Sequence, residues 1–275
     1  REVTLYWRLS GIDSLGWLHD EIARGETPIA FSHHRVEPAA RIRLQMPMQT
    51  MLCSLWVYAM TRDGALVASN YVQLFVDAGF PAREERDGSV VLREAPHQWT
   101  SAEWSEASSS AGDAEADGCC HGTGQGHFEW RFALAAGDLH EVSRIRVLYE
   151  ASAHREGTPQ TDTFAHPTTV RMLLNGVRVY ERTLPNHPHD ARGALSYLHG
   201  GRGAFGYLAH AVVEGALLEQ VLANVAPDAL WLRCLVPEDG VAKGGLTIYG
   251  GTCGRYPIPP TIIIDRADPG ARTRN

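Results

Sequence analysis

Lysine is all but missing from this chain: Lys243 is the single one in 275 residues, and 25 basic side chains face 32 acidic ones for a formal charge of -7. Such a surface has no basic footprint for neutralising phosphates, which argues against nucleic acid as a partner. Long apolar runs are missing too. None approaches the roughly 20 residues that span a bilayer, so no transmembrane helix and no membrane partner is expected. The five cysteines, Cys53, Cys119, Cys120, Cys234 and Cys253, are an odd and scattered set. They match neither a disulfide scaffold nor the paired two-residue gaps of a zinc site, and they leave the compartment open. Cys119-Cys120-His121 with His127 therefore reads as ordinary sequence rather than as a metal cluster. Gly200-Gly201-Arg202-Gly203 lacks the Lys-Ser/Thr of a phosphate loop and reads as a tight turn. Arg1 leads straight into Val3-Thr4-Leu5-Tyr6-Trp7 with no initiator Met and no leader, so the chain is expected to be a fragment or a processed product.

What is present is a series of short runs rich in β-branched and aromatic residues, and this makes the chain all-β. In the first part these are Val3 to Leu9, Ile29 to Val36, Ile42 to Met46, Leu52 to Met60 and Leu66 to Val76, with the Asp63-Gly64 pair closing a hairpin between the last two. Leu15, Leu18 and Ile22 share one face at helical spacing and Gly25 follows, which predicts a short helix over Ser14 to Arg24. The polar stretch Gly79 to Asp87, with Pro81 and Arg83-Glu84-Glu85-Arg86-Asp87, is expected to be an exposed connector between two cores. Residues 1–80 then form an immunoglobulin-like β-sandwich, cut short at its start, and residues 81–265 a second module.

In the second module eight runs follow a long polar loop, Ser105 to Gly126. They are His127 to Leu134, Val142 to Ala151, Thr169 to Leu174, Val177 to Leu184, Phe205 to Val213, Leu230 to Val236, Leu246 to Tyr249 and Thr261 to Ile264. Asn175-Gly176, where both residues tolerate positive φ, joins the third and fourth. Eight strands in such a length predict a jelly roll, with one helix over Ala216 to Val225. Residues 266–275 read as a flexible tail.

The second module carries, in order, Glu150-Ala151-Ser152-Ala153, Leu184-Pro185-Asn186, Asp190-Ala191-Arg192-Gly193-Ala194-Leu195-Ser196, Gly206-Tyr207-Leu208, and Gly244-Gly245-Leu246-Thr247-Ile248-Tyr249-Gly250 with Gly254-Arg255-Tyr256-Pro257. This series resembles the galactose-binding-like jelly roll at the C-terminal end of glycoside hydrolases of the family 2 type. Asp63-Gly64-Ala65-Leu66-Val67-Ala68-Ser69-Asn70 is similar to part of the immunoglobulin-like domain that precedes it there. In that family the general acid is a Glu that follows an Asn, on a (β/α)₈ barrel. No Asn-Glu dipeptide occurs in this chain, and a barrel of about 250 residues has no room in it. The resemblance thus implies a non-catalytic C-terminal region that braces a catalytic barrel encoded upstream in the same polypeptide and binds polysaccharide. It also favours a secreted or periplasmic location. A free-standing carbohydrate-binding protein and a complete β-fold glycan hydrolase or lyase are the rival readings.

Retaining glycoside hydrolysis needs two carboxyls about 5 to 5.5 Å apart, and Glu150 and Asp190 are the best-placed acids. Each is more readily explained by an ion pair with Arg192 or Arg146 than by catalysis, so no catalytic residue is assigned. Sugar binding needs an aromatic ring for the apolar face of a pyranose and charged groups for its hydroxyls. Trp99, Trp104, Tyr197, Tyr207 and Tyr256, with Glu150, Asp190, Arg192 and Arg255, are the candidates. Trp130, between Phe128 and Phe132 on an alternating strand, is expected in the core. No cofactor is expected. The jelly-roll resemblance allows a structural calcium ion, for which Asp113, Glu115 and Asp117 offer oxygen ligands.

Overall fold

The structure is a computed structural model, and it describes residues 2–30, 40–110, 118–153, 166–185, 195, 206–226 and 228–267. The chain is all-β and divides into two compact units, residues 1–79 and 80–275.

In the first unit β1 (Glu2–Asp13), β2 (Leu18–Ala30), β3 (Met51–Met60) and β4 (Leu66–Val76) form one antiparallel sheet in the order β2-β1-β3-β4. The helix expected over Ser14 to Arg24 is instead a hairpin turn followed by β2. Asp13 is the cause. Its Oδ1 accepts the amides of Leu15 and Trp17, each at 2.9 Å, while Oδ2 meets His19 Nε2 at 3.0 Å. Gly16 takes φ +79°, which an L side chain resists. A side chain that satisfies the amides of the next residues turns the chain back on itself and overrides a three-residue apolar stripe. At the other hairpin, the Thr61 amide donates to Ala65 O at 2.9 Å and Gly64 has φ +87°.

Alternation along β1 sends Val3 and Leu9 inward, where they join Ile29, Ala59, Met51 and Cys53 in two small clusters. The segment expected as a strand over Ile42 to Met46 is unpaired, and Ala40 and Met46 pack onto those clusters from it. Among the described residues, then, this unit has one sheet and an irregular cover rather than two facing sheets.

The second unit is a β-sandwich. One sheet has the order β13-β12-β15-β10-β7, formed by β13 (Val177–Leu184), β12 (Thr168–Leu174), β15 (Ala229–Val236), β10 (Gly126–Ala133) and β7 (Ser101–Trp104). The other follows β5-β6-β17-β11-β16-β9-β8, from β5 (Arg83–Arg86), β6 (Ser89–Arg93), β17 (Thr261–Arg266), β11 (Val142–Ser152), β16 (Gly245–Tyr249), β9 (Cys119–Thr123) and β8 (Ala107–Ser110), with β14 (Tyr207–Val213) also paired to β11. Phe128, Trp130 and Phe132 from the first sheet and Ile145, Val147, Tyr149, Ile262 and Ile264 from the second share one core. Trp130 is fully buried there, as its alternating neighbours predict. The helix α1 (Gly215–Ala223) sets Leu218 and Val221 against the same core.

Two expected connectors turn out to hold strands. Arg83 to Arg86 pairs with β6 around Asp87 and Gly88, whose φ values of 51° and 80° nearly match the 50° and 78° of Asn175 and Gly176. Charge on both faces hid the strand, because it lies at a sheet edge where charge is tolerated. The expected loop Ser105 to Gly126 contains β8 and β9, and the Asp113, Glu115 and Asp117 ligands proposed for calcium lie outside the described residues.

Candidate functional site

β11 organises the polar side of the second unit. Leu148 pairs with His210 on one edge and Thr261 on the other, whereas Glu150 pairs with Leu208 and Tyr249. β17 and β16 therefore follow one another along the same edge, and the connection between them leaves the sheet beside Glu150. Tyr149 and Ala151 point into the core, so Glu150 points to the opposite face. It is nonetheless wholly buried.

The reason is a cage of main-chain donors. Glu150 Oε1 accepts the amides of Gly206 and Arg255, and Oε2 accepts those of Arg255 and Tyr256, the last at 2.8 Å. Gly254, at φ +96°, is where the connection turns over the carboxyl, and a Cβ added there would lie 2.7 Å from Oε1. Gly206 comes as close to Ala151, with 2.6 Å left for a Cβ. Gly254 thus serves close approach of backbone to the Glu150 carboxyl, and Gly206 close approach to the neighbouring Ala151 main chain. Of the residues singled out from sequence, the structure brings together Glu150, Arg255 and Tyr256, with Tyr207 one residue from a cage donor. The Arg255 guanidinium lies over the Tyr256 ring at 5.6 Å, and that of Arg182 over Tyr207 at 5.7 Å. Glu150 itself presents no oxygen to solvent.

Burial pushes the Glu150 carboxyl up to about 8, although the amides of Tyr256, Arg255 and Gly206 pull the other way. Below its ordinary value of 4.5 it is neutral in both folded and unfolded chains, and its stabilising contribution is complete. Between there and about pH 8 the unfolded chain releases a proton that the folded one keeps. Stability owed to this group should therefore fall by about 1.4 kcal/mol per pH unit across that window and level off above it. Urea unfolding of the wild type and Glu150→Gln at pH 5, 6, 7 and 8 measures it. The stability difference between them should shrink steadily, and a constant difference would show that the carboxyl does not titrate there.

Arg146, named with Glu150 as a candidate ion-pair partner, is engaged elsewhere. Its Nε and Nη2 donate to both oxygens of Asp265 at 2.9 Å, and Arg144 Nε and Ser89 Oγ add bonds at 2.8 and 2.7 Å. Burial alone would raise Asp265, but Arg146, Ser89 and Arg144 outweigh it and hold the carboxyl below its ordinary value.

Trp99 and Trp104 go to a different place. Their rings sit 6.4 and 5.0 Å from Phe128, both are partly buried, and Trp104 covers Gly122 so closely that a Cβ there would come within 2.1 Å of the indole. They wall the sandwich, and Trp104 also edges a cleft of about 440 Å³ with Glu103, His127, Arg233 and Glu238. Asp190, Arg192 and Tyr197 lie outside the described residues.

Sequence reading passed over a second cleft, on the first unit. Register places Tyr6 opposite Tyr58 and Glu26, Arg8 opposite Trp56 and Arg24, and Trp56 opposite Tyr71, all on the face away from Val3 and Leu9. Trp56 lies 4.7 Å from Tyr71 and 6.5 Å from Tyr58 between ring centroids, with interplanar angles of 29° and 10°. Tyr6 and Tyr71 are 39% and 51% exposed. Tyr6, Arg8, Arg24, Glu26 and Tyr58 line a cleft of about 670 Å³ beside this row. The signal was available as alternation, since Tyr6 and Arg8, and Trp56 and Tyr58, are two residues apart on strands whose intervening positions are apolar.

Among the described residues, no group of three or more His, Cys, Asp or Glu is arranged to hold a metal ion, and no helix is long and apolar enough to cross a membrane. No family model matches the chain, and no curated protein matches it significantly.

Proposed function

We propose that this chain is the non-catalytic, carbohydrate-binding C-terminal region of a glycoside hydrolase of the family 2 type, with a galactose-binding-like jelly roll as its second unit. On this reading the catalytic barrel lies upstream in the same polypeptide and the β units brace it. The observation that carries the binding role is the row of Tyr6, Tyr58, Trp56 and Tyr71, exposed at Tyr6 and Tyr71 and half-buried between them, with Arg8, Arg24 and Glu26 beside it. Aromatic rings take the apolar face of a pyranose, and guanidinium and carboxylate groups fix its hydroxyls in register. An exposed aromatic patch of this kind marks an interaction surface rather than ordinary solvent-facing sheet. The Glu150 cage agrees with a non-catalytic role, because both carboxyl oxygens are already committed to main-chain donors.

Calorimetric titration of the chain with plant and algal oligosaccharides is expected to give saturable binding to at least one of them. Tyr6→Ala and Tyr71→Ala, both at exposed positions, should each weaken it roughly tenfold, about 1.4 kcal/mol. The absence of saturable heat across the panel would remove the binding role. An upstream reading frame without a barrel would remove the family assignment and leave a free-standing binding protein.

A further inference from the structure

The Glu150 connection carries a thiol that the proposed function does not use. Cys119 and His121 are two residues apart on β9 and face the same side, opposite Tyr249 and Thr247 of β16. Cys119 Sγ lies 3.1 Å from His121 Nε2, and His121 Nδ1 lies 2.7 Å from Thr247 Oγ1. The hydroxyl fixes the imidazole ring so that its other nitrogen meets the sulfur. After Tyr249 the chain turns sharply: the Gly250 amide donates to Gly118 O at 2.7 Å and that of Cys253 to Gly250 O at 3.3 Å. This turn returns Cys253 to Cys119, and the two thiols are hydrogen-bonded. None of the five cysteines is in a disulfide, and Cys119 and Cys253 are the two that are only partly buried.

We propose that Cys119 and Cys253 form a site of oxidative modification that takes a low-molecular-weight disulfide as its oxidant, with His121 as the base and Thr247 as its positioning residue. His121 Nε2 accepts the Cys119 proton, and the thiolate attacks one sulfur of the small disulfide. The S–S bond of the reagent breaks, a mixed disulfide forms on Cys119, and the leaving thiolate takes the proton from His121. Cys253 then attacks the Cys119 sulfur, expels the second small thiolate and passes its proton to it. Two protein thiols are oxidised to one disulfide, and one small disulfide is reduced to two thiols. The roles are not interchangeable. The His121 imidazole meets Cys119 and not Cys253, so Cys119 is the thiol that loses its proton first, and the bond between the two sulfurs pushes the Cys253 thiol up. Cys120 and Cys234 are raised by burial in the core and do not compete. The product ties β9 to the connection whose Arg255 and Tyr256 amides hold Glu150.

The test is to treat the reduced full chain with oxidised glutathione, quench with acid, and map the non-reduced digest by mass spectrometry. A Cys119 to Cys253 cross-link is expected in the wild type. Cys253→Ser should stop at a glutathione adduct on Cys119, and Cys119→Ser should give neither adduct nor cross-link. Thr247→Val and His121→Asn should slow wild-type chemistry at neutral pH by roughly tenfold or more, with the deficit closing as the pH approaches that of a free thiol. No cross-link in the wild type, a glutathione adduct that persists there, or a cross-link that survives Cys119→Ser would each overturn the proposal.

Discussion

Glu150→Ala is expected to destabilise the second unit by about 3–5 kcal/mol, a fall in Tm of roughly 10 °C, because it removes the acceptor of three amides at once. The amides of Gly206, Arg255 and Tyr256 belong to two separate stretches of chain, one entering β14 and one between β16 and β17. Neither stretch can turn its donors to another acceptor without opening toward solvent. A buried amide left without a partner costs about 1–3 kcal/mol, and partial relaxation keeps three of them below the simple sum. Glu150→Gln retains one carbonyl oxygen and sets an NH₂ against the remaining donors, so at pH 5, where the carboxyl is neutral in the folded chain, it should fall between wild type and alanine. Gly254 gives an independent check, since a side chain there strikes the same oxygens from the other side. Thermal unfolding read by circular dichroism measures the series. A change of less than about 1 kcal/mol in Glu150→Ala would mean that water replaces the carboxyl and that the cage is not a closed one.

Elements whose stability is visible in local sequence were legible, and elements fixed by tertiary partners were not. β10, β11, β12, β13 and β15 announce themselves by β-branched and aromatic alternation, and Asn175-Gly176 by its tolerance of positive φ. Asp87-Gly88 carries the same turn signal but was hidden among charges that suit an edge strand. The Ser14 to Arg24 stripe misled because the decisive group, Asp13, stands just before it and acts through three hydrogen bonds that a periodicity count ignores. Site residues divide the same way. Glu150, Gly206 and Gly254-Arg255-Tyr256 were singled out as motif residues, yet what joins them is a carboxyl buried under a loop about a hundred residues further along the chain. Cys119 and His121 were weighed only against metal spacing within one stretch of chain, whereas their relation to Thr247 runs across paired strands, with His121 opposite Thr247 in a register that no linear pattern contains.

Asp265→Ala should cost about 3–5 kcal/mol, because it takes a two-pronged carboxylate away from the buried guanidinium of Arg146. Arg146 has 9% of its side chain exposed, and its Nε and Nη2 both donate to the Asp265 carboxylate in a two-pronged pair. Arg144 shares that carboxylate from a side chain 43% exposed and can turn to water, so it carries little of the penalty. Removing the second charge should then restore much of what removing the first one lost. Arg146→Met in the Asp265→Ala background is expected to recover about 2 kcal/mol, since an apolar side chain of similar length needs no partner. The pH signature is opposite to that of Glu150. Asp265 is held below its ordinary value of 3.8, so its contribution is intact above that value and is lost as the pH falls through the lower folded one. Two carboxyls on one sheet face therefore set the edges of the stability profile: Arg146 and its neighbours make Asp265 the acid-sensitive group, and burial makes Glu150 the base-sensitive one. Equal losses in Asp265→Ala and the double variant would show that the guanidinium finds water, and would reduce the pair to a surface interaction.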